Sequence, residues 1–219
     1  MSTDKGYLAL RLDGPLQSWG FDSQYNRRNT GLMPTKSAIA GMCCAALGLA
    51  RGSEEEKRFL GEFNSLRMTA IAIPRRVKKK ELPVRRLQDY HTVQNTRRAS
   101  GAINYDCVLT YRQYLTDAAF GVLLEGDTVL LKEIASALAD PVWGICLGRK
   151  TCIPSAPVFV GLEANRNDAL RLLIGEKPLD SFTRQEEVEN FAEGRDSLPD
   201  APVSFATDGR SFSPRRVRT

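Results

Sequence analysis

The stretch Tyr7-Leu8-Ala9-Leu10-Arg11-Leu12 sets the first element of the fold. Leucine occupies every second position, which is the period of a β-strand with one face in a core, and Asp13-Gly14-Pro15 ends the strand. From Pro34 onward the apolar residues recur with the period of a helix, and Thr35 is the predicted N-cap. The chain therefore begins with a strand that is followed by a helix.

The predicted helix after Thr35 is rich in small side chains. They are Ala38, Ala40, Gly41, Cys44 and Ala45. Small residues are often fully buried and let a neighbouring backbone approach closely, so we expect this helix to be buried on nearly every side.

The same periodicity gives the remaining elements. In chain order they are a short helix after a Ser53–Glu56 capping box, a strand at 67–73, a strand at 118–124, a helix from Asp127 to Asp140, and a strand at about 157–162. The order of strand, helices, strand, strand, helix and strand is the βαββαβ pattern. It predicts an α+β domain of the ferredoxin-like or RNA-recognition type.

Length and composition fit a folded globular chain. With 219 residues, of which 42% are hydrophobic and 26% charged, the chain is expected to form one large domain or a domain with an appendage. The net charge of +5 and the pI of 9.0 favour an anionic partner. Residues 176–200 carry a net charge of −5 and residues 210–219 carry +4. The roles of these two segments stay open.

Residue usage also indicates a compartment. Five cysteines without a C-x-x-C pair, and a first segment without a signal-peptide pattern, predict a reduced, cytoplasmic protein. The longest run of small and apolar residues, 38–50, has 13 residues. A bilayer span needs about 20, so no membrane segment is expected. The single histidine excludes a multi-histidine metal site, and neither a metal nor a cofactor is predicted.

A long basic insert separates the second and third predicted strands. Residues 75–98 contain nine arginines and lysines against two acidic residues, which gives +7. A compact domain has a turn of about 2–5 residues at such a place. Because Tyr90 and His91 lie among the arginines, we expect a cationic hairpin that follows a phosphate backbone and stacks on an unpaired base. The alternative is a solvated charged loop.

Polar groups follow the first strand in the stretch Gly14-Pro15-Leu16-Gln17-Ser18-Trp19-Gly20. Its glycines permit close backbone approach, and Gln17 and Ser18 offer an amide and a hydroxyl group. Trp19 is equally compatible with stacking on a base and with a core position.

Two further segments are candidates for phosphate contacts. At the helix start, Pro34-Thr35-Lys36-Ser37 offers backbone amides, hydroxyls and a cation, which can hold a phosphate or only cap the helix. We expect Lys36→Glu to weaken RNA binding and to leave the fold intact. Residues 144–151 lack the spacing of a nucleotide phosphate loop, so hydrolysis of nucleoside triphosphates is not predicted. Arg149 and Lys150 can still hold a nucleic-acid backbone.

Catalysis would rest on one residue. His91 is the only candidate for a histidine base in metal-independent RNA cleavage, with Tyr90 and a nearby lysine assisting. A histidine in a basic loop more often stacks or forms hydrogen bonds. We therefore expect binding and no catalytic residue.

Several separated motifs together resemble the fifth Cas family of CRISPR systems. They are residues 14–20, Arg28-Asn29-Thr30-Gly31-Leu32-Met33-Pro34-Thr35-Lys36-Ser37, Asp89-Tyr90-His91-Thr92-Val93, residues 111–120, and Leu147-Gly148-Arg149-Lys150-Thr151-Cys152. The likeness is to the type I-E branch, and it covers about residues 5–163. These motifs give no resemblance for the residues beyond 163.

This resemblance implies a palm of the RAMP type at residues 1–163, with a β-hairpin thumb at about 75–116 and a C-terminal extension, 164–219, packed on the palm. It implies a non-catalytic Cascade subunit that binds the 5′ handle of the CRISPR RNA. The RNA-binding residues implied by the motifs and the basic insert are Gln17, Ser18, Trp19, Gly20, Arg28, Thr35, Lys36, Ser37, Tyr90, His91, Arg97, Arg98, Arg149 and Lys150.

The resemblance also implies partners. They are the backbone subunit CasC, whose filament the protein caps, the large subunit CasA, and target DNA that is reached through the complex. One branch of the family, in type I-C systems, cleaves precursor RNA with a Tyr, Lys and His set. Tyr90 and His91 keep a metal-independent endoribonuclease as the alternative function.

Overall fold

The computed structural model describes residues 4–24, 26–98 and 100–219. The helices are α1 (Lys36–Leu47), α2 (Glu54–Asn64), α3 (Thr128–Ala139) and α4 (Arg166–Ile174), with short 3-10 helices at Leu179–Ser181 and Phe191–Glu193. The strands are β1 (Lys5–Asp13), β2 (Leu16–Gln17), β3 (Arg27–Arg28), β4 (Arg67–Ala72), β5 (Arg75–Val77), β6 (Lys80–Leu82), β7 (Arg85–Val93), β8 (Thr96–Arg97), β9 (Ile103–Asn104), β10 (Val108–Thr116), β11 (Ala119–Asp127), β12 (Phe159–Glu163), β13 (Arg184–Glu187), β14 (Asp196–Ser204) and β15 (Ser211–Arg218). The predicted core elements are present in the predicted order as β1, α1, α2, β4, β11, α3 and β12.

The core sheet has the strand order β12-β1-β11-β4-β13-β15-β14, and its neighbouring strands are antiparallel. Side chains alternate across the sheet because successive residues of a strand point to opposite faces. Leu8 and Leu10 of β1 pack in the same core as α1, α2 and α3, whereas Ala9 packs with α4. Helices therefore cover both faces of the sheet.

Helix α1 is largely buried, as its small residues predict: seven of its twelve residues are buried and the other five are half-buried. Ile39, Ala40 and Met42 lie in the core. Gly41 and Ala45 are half-buried, with the Phe205 ring beside Gly41 and the backbone of Trp143 hydrogen-bonded to the carbonyl of Ala45. The predicted N-cap is confirmed, since Thr35 accepts a hydrogen bond from the backbone N–H of Ala38.

The basic insert forms a two-stranded ribbon. Strand β7 pairs antiparallel with β10 along its whole length, from Arg85 opposite Thr116 to Val93 opposite Val108. Smaller hairpins, β5–β6 and β8–β9, lie before the ribbon and at its far end. Strand β10 also pairs with β2 and β3, so the ribbon is joined to the segment that follows β1.

The C-terminal segment extends the core sheet. Strand β13 pairs with β4 and with β15, and β15 pairs with β14. Residues 184–218 therefore continue the sheet that the first 163 residues begin, and a domain boundary at residue 163 stays a prediction. None of the helices in the described residues combines the length and the apolar character needed to span a bilayer.

Candidate nucleic-acid interface

A cleft of about 1050 Å³ lies beside the half-buried side of α1. It brings together side chains from the segment after β1, the start of α1 and the turn before β12. The predicted site residues that line it are Ser18, Gly20, Arg28, Thr35, Ser37, Arg149 and Lys150. These residues are far apart in the sequence, and the fold makes them one surface.

The turn that carries Arg149 is fixed against the segment after β1. The backbone N–H of Ser18 donates to the carbonyl of Leu147 at 3.0 Å. The guanidinium of Arg149 donates to the carbonyls of Gln113 and Arg28 at 3.0 and 2.6 Å, and it lies 4.7 Å from the centre of the Tyr114 ring. Arg149 therefore holds three segments of the cleft wall together, while the neighbouring Lys150 side chain is exposed.

Gly148 makes this close approach possible. Its φ angle is +94°, and a Cβ atom at this position would lie 1.8 Å from the carbonyl oxygen of Ser18. Only glycine fits such a backbone next to another backbone. The sequence reasoning noted the glycines of this turn without identifying this contact.

The exposed charge of the cleft is positive. Its cations Arg28, Arg51, Lys150 and Arg210 have no ion-pair partner among the described residues. The acidic groups are held within the fold: Glu56 is fully buried and accepts from the N–H of Gly52 at 2.8 Å, and Asp200 pairs with Arg215 at 2.6 Å. The surface left for a ligand suits an anion. Sequence reasoning missed Arg51 and Arg210, which lie outside the basic insert.

Gln17 and Trp19 are fully buried, so their predicted contacts with RNA are corrected. The Gln17 amide donates to the carbonyls of Leu12 and Ala118 at 3.2 and 2.7 Å, which joins β1 to the start of β11. The Trp19 ring packs edge-on against Phe120 with centroids 6.3 Å apart. Of the two interpretations of Trp19, the core position is therefore confirmed.

Lys36 is also buried, which corrects its predicted role as a mobile charge for phosphate. It is 1% exposed. Its amino group lies 2.8 Å from Glu187 Oε1 and donates to the carbonyls of Leu66 and Asn64. All of these partners are inside the protein, so Lys36 stabilises the junction of α1 with β4 and β13.

The backbone at the start of α1 already has an anion. The N–H of Lys36 donates to Asp200 Oδ2 at 2.8 Å, and the same carboxylate pairs with Arg215. A carboxylate at a helix N-terminus satisfies free N–H groups in the way a phosphate would. Burial lowers the pKa of Lys36 below its ordinary value, and the Glu187 carboxylate opposes that change.

Tyr90 and His91 point to opposite faces of the ribbon, because they are neighbours on β7. The ring of Tyr90 is paired edge-on with Tyr111 of β10 at 5.4 Å, and Tyr90 is 55% exposed. His91 lies opposite Thr110, and its Nδ1 is 3.8 Å from Asp89. The two side chains therefore cannot meet at one phosphate.

Arg97 and Arg98 lie at the far end of the ribbon, away from the residues that line the cleft. Both are exposed. Arg98 donates to Asn104 Oδ1 at 3.0 Å and lies 3.9 Å from Asp106. The fold thus divides the predicted RNA-binding residues into a cleft set and a ribbon set.

Aromatic residues of the cleft were also missed by the sequence reasoning. Phe21, Trp143, Phe205 and Phe212 line it, and Trp143 is 47% exposed. The available signal was that Trp143 lies two residues after the Asp140-Pro141 stop of α3, where a side chain is presented by a loop. In the described residues, no group of three His, Cys, Asp or Glu side chains is placed to hold a metal ion.

Comparisons with known proteins agree with these motifs. A family model described as CRISPR-associated protein (Cas_Cas5) matches residues 7–218. The Escherichia coli (strain K12) protein named CRISPR system Cascade subunit CasD is 31% identical over 187 residues, which are 84% of this chain and 82% of that protein.

Two solved structures share the fold over nearly the whole chain. A chain of a "CRISPR RNA-guided surveillance complex" matches with a TM-score of 0.75 at 28% identity, and the match covers 97% of this chain and 88% of that chain. A "Crystal structure of Cas protein" has a TM-score of 0.67 at 32% identity, with 97% and 92% covered. The resemblance seen in the motifs is thereby confirmed: the chain belongs to the fifth Cas family of CRISPR-associated proteins.

Proposed function

We propose that this chain is a non-catalytic subunit of a type I-E Cascade surveillance complex, in which it binds the 5′ handle of the CRISPR RNA and caps the backbone filament. The observation that carries the proposal is the cleft, where Arg28 and Lys150 are exposed while its acidic groups are paired or buried within the fold. The E. coli relative is a Cascade subunit by name. The RNA-guided recognition of foreign DNA follows from membership of that complex.

The architecture supports a RAMP-type palm. Strands β12, β1, β11 and β4 are adjacent in the sheet, and the elements that join them run in the βαββαβ order. We assign the thumb to residues 75–116, where the ribbon leaves the sheet between β4 and β11. Residues 164–219 are the C-terminal extension.

Revised RNA contacts follow from exposure. In the cleft, we assign phosphate contacts to Arg28 and Lys150 and hydrogen bonds to Thr35, Ser37 and the backbone at Gly20, with Ser18 and Arg149 shaping the wall. On the ribbon, we assign contacts to Tyr90, His91, Arg97 and Arg98, which all have exposed surface. The backbone subunit CasC and the large subunit CasA are the proposed protein partners, and the complex is proposed to act in the cytoplasm.

The endoribonuclease alternative is weaker on geometric grounds. A histidine base and a tyrosine that positions the substrate must reach the same phosphate. Tyr90 and His91 point away from each other across the ribbon. His91 lies beside Asp89 and opposite Thr110, and neither strand of the ribbon, β7 or β10, contains a lysine.

The test is recovery of the RNA. The tagged chain is expressed together with the CRISPR array and the other Cascade subunits of its host, and the bound RNA is sequenced. We expect guide RNAs with different spacers and one uniform 5′ handle. RNA of random sequence, or no RNA, would contradict the proposal.

A cleavage assay separates the two functions. The purified chain is incubated with precursor CRISPR RNA, with and without divalent metal, beside His91→Ala. We expect no cleavage by either protein. Discrete products that disappear in His91→Ala would establish the alternative.

A further inference from the structure

Trp143 is an exposed tryptophan on a fixed backbone. It is 47% exposed, whereas Trp19 is fully buried. The backbone N–H of Trp143 donates to the carbonyl of Ala45 at 3.1 Å, and the N–H of Val142 donates to the carbonyl of Ala46 at 2.9 Å. The segment after α3 therefore presents the indole ring at the cleft in a defined position.

The residue before the tryptophan strengthens this anchor. Val142 packs over Gly48, which ends α1 with a φ angle of +72°. A Cβ atom on Gly48 would lie 2.8 Å from Val142 Cγ1, so the Val142 side chain packs directly on the glycine that ends the helix. A large apolar ring held rigidly in water costs free energy unless a ligand or a partner covers it.

The other residues of the cleft indicate which ligand would cover Trp143. Arg51, Lys150 and Arg210 are exposed cations of the cleft with no ion-pair partner among the described residues. An apolar protein segment in this place would have to cover these charges without neutralising them, which is unfavourable. A nucleotide offers both a planar base and a phosphate.

Further aromatic side chains line the same cleft. The Phe205 ring faces α1 at Gly41, where a Cβ atom would be 3.7 Å from the ring. Ala38 and Ala45 are the neighbouring small residues on this side of the helix, and both line the cleft. Phe212 lies 6.4 Å from Phe205, centroid to centroid, so aromatic surface is present in this part of the cleft as well.

We infer that Trp143 forms the stacking platform for one unpaired nucleobase of the bound guide RNA, while the adjacent cations hold the phosphates on either side of it. This inference rests on the proposed function, because it takes the RNA of the cleft to be the 5′ part of the guide. Stacking is indifferent to base identity, since every base has a π-face. The subsite therefore selects a single-stranded, flipped-out nucleotide and does not select a particular base.

The experiment is a double-mutant cycle, in which one change is made in the protein and the other in the RNA. Synthetic RNAs carry the handle sequence recovered with the complex, and one abasic nucleotide is placed at each position in turn. Each RNA is titrated with the parent, Trp143→Ala, Trp143→Phe and the control Val129→Ala, which truncates an exposed side chain of α3.

We expect one position at which the abasic RNA binds the parent about tenfold more weakly than the intact RNA does. At that position, the abasic and the intact RNA should bind Trp143→Ala with equal affinity. Trp143→Phe should keep most of the affinity, and Val129→Ala all of it. At the same position, 2-aminopurine fluorescence should be quenched by the parent and not by Trp143→Ala.

Three other outcomes would overturn the inference in distinguishable ways. Equal losses at every abasic position in parent and Trp143→Ala would show RNA binding without this subsite. Normal RNA binding by Trp143→Ala with loss of a copurifying Cascade subunit would make the tryptophan a protein contact. If the parent binds no handle RNA, the proposed function itself fails.

Discussion

The amino group of Lys36, at the start of α1, lies 2.8 Å from the carboxylate of Glu187 in β13. Glu187 also accepts from the backbone N–H of Met68 in β4, and Arg215 of β15 lies 3.7 Å from it. A buried charge of this kind is tolerated only when it is paired and hydrogen-bonded. The C-terminal strands therefore supply the counter-charges that let α1 begin where it does.

Loss of the Lys36 charge should destabilise the fold. Lys36→Met leaves Glu187 with the N–H of Met68 and, as its only cation among the described residues, the more distant Arg215, and we expect the free energy of unfolding to fall by about 3–5 kcal/mol. Lys36→Glu places a second buried carboxylate beside Glu187, and we expect no folded protein. Chemical denaturation of the purified variants measures both effects.

The matched control is Lys57→Met. Lys57 is paired with Glu54 at 2.7 Å on the exposed side of α2, and its loss should leave the free energy of unfolding almost unchanged, because an exposed ion pair contributes little. A Lys36→Glu protein that melts at the parent temperature would restore the original expectation that this substitution is neutral for the fold.

Acid should weaken the protein through Glu186. Burial raises the pKa of Glu186, but its hydrogen bonds and ion pairs with Arg218, Arg166 and Arg184 outweigh burial and hold the pKa below its ordinary 4.5. Because the folded-state pKa is lowered, the contribution to stability is complete above pH 4.5 and is lost as the pH falls through the folded pKa. Glu186→Gln should cost about 1–2 kcal/mol at pH 7 and progressively less below pH 4.5.

Unfolding curves at pH values from 7 to 3 check this dependence. Glu189→Gln is the control, because Glu189 is 70% exposed and its pair with Arg67 lies in solvent. A constant difference between the parent and Glu186→Gln across the whole pH range would show that the arginines do not act through the charge of Glu186.

The core elements could be predicted because each of them has a periodic pattern that is local in sequence. The alternating leucines of β1 and the capping residues Thr35, Ser53 and Asp127 are read within a few positions of each other, and the structure has them as expected. The order of these elements was sufficient for the coarse fold, an antiparallel sheet with helices.

The burial of individual polar residues could not be predicted in the same way. Lys36 is buried because Glu187 lies next to it, 151 residues further along the chain, and Asp200 occupies the helix start for the same reason. No local pattern contains such a pairing. Gln17 gave a false signal as well, since an amide that bridges two buried carbonyls has the same sequence signature as one that faces a ligand.

A methyl group at Gly148 should open the wall of the cleft. Gly148→Ala places a Cβ atom 1.8 Å from the Ser18 carbonyl oxygen at a φ of +94°, so the turn with Arg149 must move away. We expect a loss of about 1–3 kcal/mol in the free energy of unfolding together with weaker binding of guide RNA. Gly144→Ala is the control, because a Cβ atom there meets nothing within 4 Å. Equal melting temperatures and RNA retention for the two variants would contradict the proposed tight contact.

The ribbon arginines should act through phosphates, and the salt dependence of binding can show this. Each phosphate contact that is lost from single-stranded RNA lowers the magnitude of the slope of log K against log salt concentration by about 0.7. Arg97→Ala with Arg98→Ala should therefore reduce the slope by up to about 1.4, with less from Arg98 because it is partly engaged with Asn104 and Asp106. Arg171→Ala removes an exposed arginine from α4, on the face of the sheet opposite the cleft helices, and should leave the slope unchanged. An unchanged slope in the double variant, measured on the assembled complex by titration at several salt concentrations, would place both arginines against protein or solvent.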